Sequence, residues 1–148
     1  MTTIHNEIIV DASIDKLWSI LTDLELLARY DPTVKKSILV SVEKTGIGAK
    51  RKIVMLDGKN WFEEKITVLK QNDALTFQLT DCSFPIKELK HSYRFEKIDN
   101  QTKVKQIMEY TVKFGLLGKL LDSLMIRKQS DRGIKKFFAG LKSYAETR

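Results

Sequence analysis

The sequence predicts an α+β fold: a curved, antiparallel seven-stranded sheet wrapped around a long C-terminal helix, with two short helices after the first strand. Three observations carry this. Apolar residues alternate with period two, in short runs between turn signals, from about residue 34 to 113. A short stretch of 3.6-residue period follows an opening strand, and a long one ends the chain. The 148 residues, 43% hydrophobic and 30% charged, have the size and balance of one folded domain, residues 1–148.

Residues 4–10 alternate, with Ile4, Ile8 and Val10 on one side. Ser13 is placed to cap a helix whose first turn holds Asp15 and Lys16, and Leu17, Ile20 and Leu21 repeat at i, i+3, i+4 beside Trp18. Leu24, Leu27 and Ala28 mark a second helical turn, which Pro32 ends by forcing Asp31 into an extended conformation. In the strand that follows, Val34, Ile38, Val40 and Val42 share one parity, up to the turn TGIG at 45–48. Residues 49–56 close on Asp57-Gly58, a two-residue hairpin signal. Residues 60–70 run to Asn72-Asp73, and 74–80 align Leu75, Phe77 and Leu79. After a looser segment around Pro85, residues 89–97 pair Tyr93 with Phe95. Beyond Asn100-Gln101, residues 103–113 align Val104, Met108, Tyr110 and Val112. Connections this short predict an antiparallel meander.

Residues 116–146 place Leu117, Leu120, Leu121, Leu124, Ile134, Phe138 and Leu141 on one helical stripe. Such a helix is roughly 45 Å long and crosses the whole molecule. Gly133 and Gly140 inside it predict a bend or the close approach of another element. A rolled sheet touches a rod only along a line, so the volume left between them becomes a cavity.

Composition excludes several classes. No apolar run approaches the roughly 20 residues of a membrane-spanning helix, and the N-terminus lacks a basic start followed by an apolar block. Cys82 is the one cysteine, which forbids an intrachain disulfide and fits a cytoplasmic location. Its neighbour Asp81 opposes thiolate formation. His5 and His91 lie in different strands without metal-ligand spacing, so neither metal nor cofactor is expected. GIGAKRK lacks the GK[ST] ending of a phosphate loop and reads as a hairpin turn.

Candidate site residues are those placed on faces aimed inward. Glu63 and Glu64 are adjacent on a strand and point to opposite faces, so they cannot act as an acid/base pair; one of them either faces the cavity as a general base or is an outer-face glutamate paired with a neighbouring lysine. Gln106 shares parity with Val104, Met108 and Tyr110. Arg127 and Asp131 interrupt the helical stripe, either as an ion pair at its rim or with Arg127 meeting a ligand head group. The candidate lining is Tyr30, Trp61, Phe77, Tyr93, Phe95, Gln106, Met108, Tyr110, Leu124, Arg127 and Phe138. Tyr93 and Tyr110 stand out, since a phenol combines an apolar body with a hydrogen-bonding tip.

The net charge of +7 resides in residues 101–148, which carry 11 basic and 4 acidic side chains. Lys128, Arg132, Lys135, Lys136 and Lys142 form a basic stripe, either a solvated outer face of the helix or a surface for an anionic membrane or RNA. No aromatic ladder or RNA-binding signature accompanies it.

Three stretches resemble the START/Bet v 1-like superfamily, in particular its polyketide cyclase/dehydrase and lipid-transport branch: IIVDASIDKLWSILTDLELLARYDPTVKKS, TGIGAKRKI, and MEYTVKFGLLGKLLDSLMIRKQSDRGIKKFFAGLKSYAE. The resemblance implies a helix-grip fold with a deep apolar cavity for a hydrophobic small molecule such as a lipid, quinone or polyketide. It transfers a location and no catalytic residue. The expectation is a ligand-binding protein. The alternatives are a cyclase or dehydratase on the same pocket and an interaction module built on the basic helix.

Overall fold

The computed structural model describes residues 1–121 and 125–147. The strands are β1 (Thr2–Val10), β2 (Val34–Leu39), β3 (Lys50–Met55), β4 (Trp61–Lys70), β5 (Ala74–Cys82), β6 (Ile86–Ile98) and β7 (Gln101–Val112). The helices are α1 (Ile14–Thr22), α2 (Leu27–Tyr30), α3 (Gly115–Leu121) and α4 (Arg127–Thr147). The strands form one antiparallel sheet in the order β1-β7-β6-β5-β4-β3-β2. This is the expected meander with β1 added beside β7, curled around the C-terminal helix.

Local chemistry sets the element boundaries. Ser13 Oγ accepts the Lys16 N–H at 3.2 Å and starts α1. Gly58 at φ 72 and Asn72 at φ 61 take the left-handed turns that close two hairpins. One strand departs from its expected parity. The pairing of β2 with β3 shifts register between Val34 and Lys36, which turns Ser37 inward and leaves Ile38 and Val40 exposed. Val42, expected on the same face, lies in the following loop and is almost fully exposed. The bulge adds a residue and thereby swaps the faces downstream of it.

The helix on the sheet is α4. It buries Ile134, Phe137, Phe138, Leu141 and Ala145, each large side chain contributing about 1.5–3 kcal/mol. Its C-terminal end is tied to β1: Lys142 Nζ donates to the Ile9 carbonyl at 2.9 Å, and Glu146 Oε2 accepts the Asp11 N–H at 3.0 Å. Lys142 therefore serves the helix–sheet junction and also pairs with Glu146, instead of standing in a free basic stripe. Gly140 permits the expected close approach, since a Cβ there would run into the Tyr30 carbonyl of α2.

The leucine stripe does not continue inward along α3. Leu117 and Leu120 are exposed, together with Leu116, while Gly118 faces Val112 and Lys113 at the end of β7. Periodicity correctly groups these leucines on one face, but that face points away from the sheet. Leu124, from the same stripe, lies outside the described residues.

Candidate functional site

A cavity of about 310 Å³ lies between the concave face of the sheet and the N-terminal half of α4. Ile53, Met55, Phe62, Ile86, Leu89, Met108, Ile134 and Phe137 supply most of its apolar wall. Gly133 faces it with no atom within 4 Å of where a Cβ would sit, so the helix leaves room at that point. Phe84 and Pro85, from the loop between β5 and β6, border it from one side, and Ile126, Gln129 and Ser130 border it from the other.

Set into this apolar wall is a connected group of polar side chains. Arg51 and Glu64 occupy directly opposed positions on β3 and β4, both pointing inward and both almost fully buried. The Arg51 Nε and Nη2 atoms lie 2.9 and 2.8 Å from the same Glu64 oxygen, Oε1. The guanidinium also donates to the Leu24 carbonyl at 3.4 Å and lies over the Phe77 ring, 4.4 Å from its centroid. His91 Nδ1 stands 3.7 Å from the other carboxylate oxygen, Oε2. Burial pushes the Glu64 carboxyl up, but Arg51 and His91 outweigh it and hold the carboxyl below its usual range.

The second polar pair is Gln106 and Tyr93, neighbours on β7 and β6. Gln106 Nε2 donates to the Tyr93 hydroxyl at 3.1 Å, while Gln106 Oε1 is buried without a partner. Burial drives the Tyr93 phenol far above its ordinary pKa, so it is neutral and keeps its proton to donate. Asp31 closes this region after α2; its Oδ1 accepts the Thr33 N–H at 2.9 Å and the Thr33 hydroxyl at 2.7 Å. Burial raises the Asp31 carboxyl, and the two Thr33 bonds counter that only in part.

Of the residues expected at the site, Tyr93, Gln106 and Met108 are on the cavity wall. Of the adjacent glutamates, Glu64 faces inward, and Glu63 faces outward with Lys50 at 3.2 Å. The remaining described candidates lie elsewhere. Phe77 is behind the wall, under Arg51 and edge-on to Tyr93. Tyr30 and Phe138 pack in the core, Tyr30 against Phe137 and Tyr144 and Phe138 against Phe137. Phe95 packs on Trp18, and Trp61 carries the Lys52 ammonium 4.5 Å over its ring. Tyr110 is fully buried beside a second, surface hollow bounded by Met1, Val112 and Lys119. Arg127 is exposed, and Asp131 pairs with Lys135 at 2.9 Å instead of with Arg127.

Sequence reasoning missed Arg51, His91 and Asp31. Arg51 did leave a signal: it shares parity with Ala49, Ile53 and Met55, so it is a cation in an inward column. The basic run KRK around it reads as surface and hides that signal. No group of three or more potential metal ligands occurs among the described residues.

Comparison with solved structures finds the same fold in proteins of low sequence identity. The Zhui aromatase/cyclase from Streptomyces sp. R1128 is similar with a TM-score of 0.81 and 12% identity, over 99% of this chain and 94% of that one. A protein of Thermus thermophilus has a TM-score of 0.80 and 19% identity, over 96% and 95% of the two chains. A START superfamily protein from Mycobacterium smegmatis gives 0.79 and 14%, over 98% and 97%. No curated protein sequence matches. The family model described as polyketide cyclase / dehydrase and lipid transport matches residues 1–146, and the chain belongs to that family.

Proposed function

We propose that this protein binds a hydrophobic small molecule in the cavity between sheet and α4, with one polar end of the ligand against Gln106 and Tyr93. The carrying observation is a single space, apolar over most of its wall, that is lined by Gln106 and Tyr93, with Gln106 Oε1 buried and unpartnered. Apolar contact supplies affinity without much chemical selectivity, and a few fixed polar groups supply orientation. At about 310 Å³ the cavity is at the small end of ligand pockets and equals roughly ten liquid waters in volume. This suits a compact ligand or one segment of a longer chain.

The family description covers both cyclases and lipid carriers. Binding is favoured over base catalysis by the state of Glu64. A general base works best with a pKa near the operating pH. Glu64 is instead held below its usual range by Arg51, a weak base already engaged in an ion pair.

The test is native mass spectrometry of protein purified from its own host, followed by titration with 1-anilinonaphthalene-8-sulfonate. The expected result is a co-purified apolar molecule and saturable, one-to-one probe binding that the extracted molecule displaces. Gly133→Leu, which fills the space facing that glycine, should abolish probe binding while leaving the circular dichroism spectrum intact. Probe binding unchanged in a folded Gly133→Leu protein would refute the assignment.

A further inference from the structure

The apolar face of α3 is turned the wrong way for a helix of a water-bounded protein. Successive helical residues are roughly 100° apart, so Leu116, Leu117 and Leu120 fall within one arc and Gly118 lies opposite. Gly118 is the buried position against the end of β7, and the leucines are 84%, 62% and 56% exposed. Phe114 just before the helix and Met125 beyond it are more than half exposed as well. These five residues present an apolar surface on the order of 500 Å², near the upper limit of what a monomer leaves to water. Phe114 also holds φ 71, a left-handed conformation that a bulky L-residue adopts at a cost, and its ring points out of the core.

Charge and position say what this surface meets. Residues 113–132 carry 5 basic and 2 acidic side chains, and one of the acids, Asp131, is already paired with Lys135. Lys113, Lys119, Arg127, Lys128 and Arg132, before, within and after the leucine run in sequence, are all exposed. Exposed apolar side chains flanked in sequence by exposed cations match the layering of an anionic bilayer, with acyl chains below and phosphates above. RNA would engage the cations but leave the leucines in water. The patch also adjoins the cavity wall: the Lys113 N–H donates to the carbonyl of Pro85, a wall residue, at 2.9 Å, and Ile126 after the patch is a wall residue too.

We propose that α3, with Phe114 before it and Met125 after it, docks this protein on an anionic lipid bilayer, with the Pro85 and Ile126 side of the cavity wall turned toward the membrane. The docking stands apart from the identity of the cavity ligand and fails or succeeds independently of it.

The experiment is co-sedimentation of the full chain with phosphatidylcholine vesicles, with and without phosphatidylserine at about one lipid in three. Binding to the anionic vesicles should be strong, should weaken in high salt, and should be much weaker to phosphatidylcholine alone. Each basic residue near such a surface is worth about fivefold in affinity. Lys119→Glu with Arg127→Glu should therefore lower binding by well over tenfold, whereas Lys70→Glu with Lys97→Glu, at the far end of the sheet, should change it little. Leu117→Glu with Leu120→Glu should lower binding by at least about tenfold, with the thermal melt and cavity-probe titration of the wild type. Equal binding by the leucine variant overturns the proposal. So does a dimer in sedimentation equilibrium that the leucine substitutions dissociate, or binding to a single-stranded RNA oligonucleotide with none to vesicles.

Discussion

The Arg51–Glu64 pair invites the most demanding perturbation. Both side chains are at most 6% exposed, and they meet at 2.8 Å on neighbouring strands. Removing one partner leaves the other charged and buried, which costs about 3–5 kcal/mol, whereas removing both for apolar groups of similar volume is often close to neutral. Arg51→Met also strips the stack on Phe77 and the bond to the Leu24 carbonyl, so it belongs at the upper end of that range. In a chain of this length 1 kcal/mol moves Tm by roughly 2–4 °C, so either single variant should melt roughly 6–20 °C below wild type. The double variant Arg51→Met/Glu64→Leu should recover most of that loss. The pH dependence has a definite sign. The folded-state pKa of Glu64 is lower than its unfolded value, so the native state binds fewer protons, and the stabilisation is present above that unfolded value of about 4.5. It is lost as pH falls below it through the folded value, and the wild-type advantage over Glu64→Gln should shrink in that acid window. Urea denaturation of wild type, Arg51→Met, Glu64→Leu and the double variant closes the cycle, and Glu64→Gln beside wild type at neutral pH and in acid reads the pH dependence. Single-variant costs below about 1 kcal/mol, or costs that simply add in the double variant, would refute a coupled buried pair.

Other positions give sharper, smaller contrasts. Asp31 has the opposite sign: its folded pKa is raised above 3.8, so its contribution falls as pH rises through that window, and Asp31→Asn should raise Tm near neutrality but not in strong acid. Gly140→Ala drives a Cβ into the Tyr30 carbonyl and should cost about 1–3 kcal/mol in urea denaturation. Gly133→Ala, in the same helix but facing open space, should stabilise by up to about 1 kcal/mol while narrowing the cavity and weakening probe binding. Tyr93→Phe removes the acceptor for Gln106 Nε2, leaving the whole buried amide unpaired at a cost of about 1–3 kcal/mol; the same loss in a Tyr93→Phe/Gln106→Leu double variant would count against that reading.

The six-strand meander, the two short helices and the helix on the sheet were legible because period and turn chemistry are local, whereas the place of β1 beside β7 rests on a pairing across most of the chain. Tyr93, Gln106 and Met108 were legible because the pairing of β6 with β7 holds one register from Glu88/Thr111 to Ile98/Gln101, beyond the shift at Ile86/Glu88, so parity counted within that span places all three. Parity failed on β2, where the bulge at Val34/Lys36 exchanges the two faces. It succeeded only halfway on β4: opposite faces for Glu63 and Glu64 follow from pleating, but which of them is inward depends on the pairing with Arg51. The helical stripe failed on α3 for a related reason. A period groups side chains on a face, and tertiary packing alone decides whether that face meets the sheet.

That distinction explains why the cavity exists where it does. The sheet and α4 converge where Gly140 lets the helix touch α2, and they part toward Gly133, where nothing fills the space. A core could close that gap with larger side chains. Here it is faced by a glycine and a satisfied ion pair, neither of which can expand to fill it. Arg51 and Glu64 neutralise each other, so they make the interior polar without leaving a charge that demands a counterion. Gln106 Oε1 is a group of a wall residue that is buried with bonding capacity to spare. A ligand that brings a donor to it recovers a bond the empty protein forgoes, whereas a purely apolar ligand of the same size does not. Hydroxylated ligands should therefore outcompete their deoxy counterparts for the wild-type cavity, and Gln106→Leu should erase that preference while keeping the affinity for the deoxy compound.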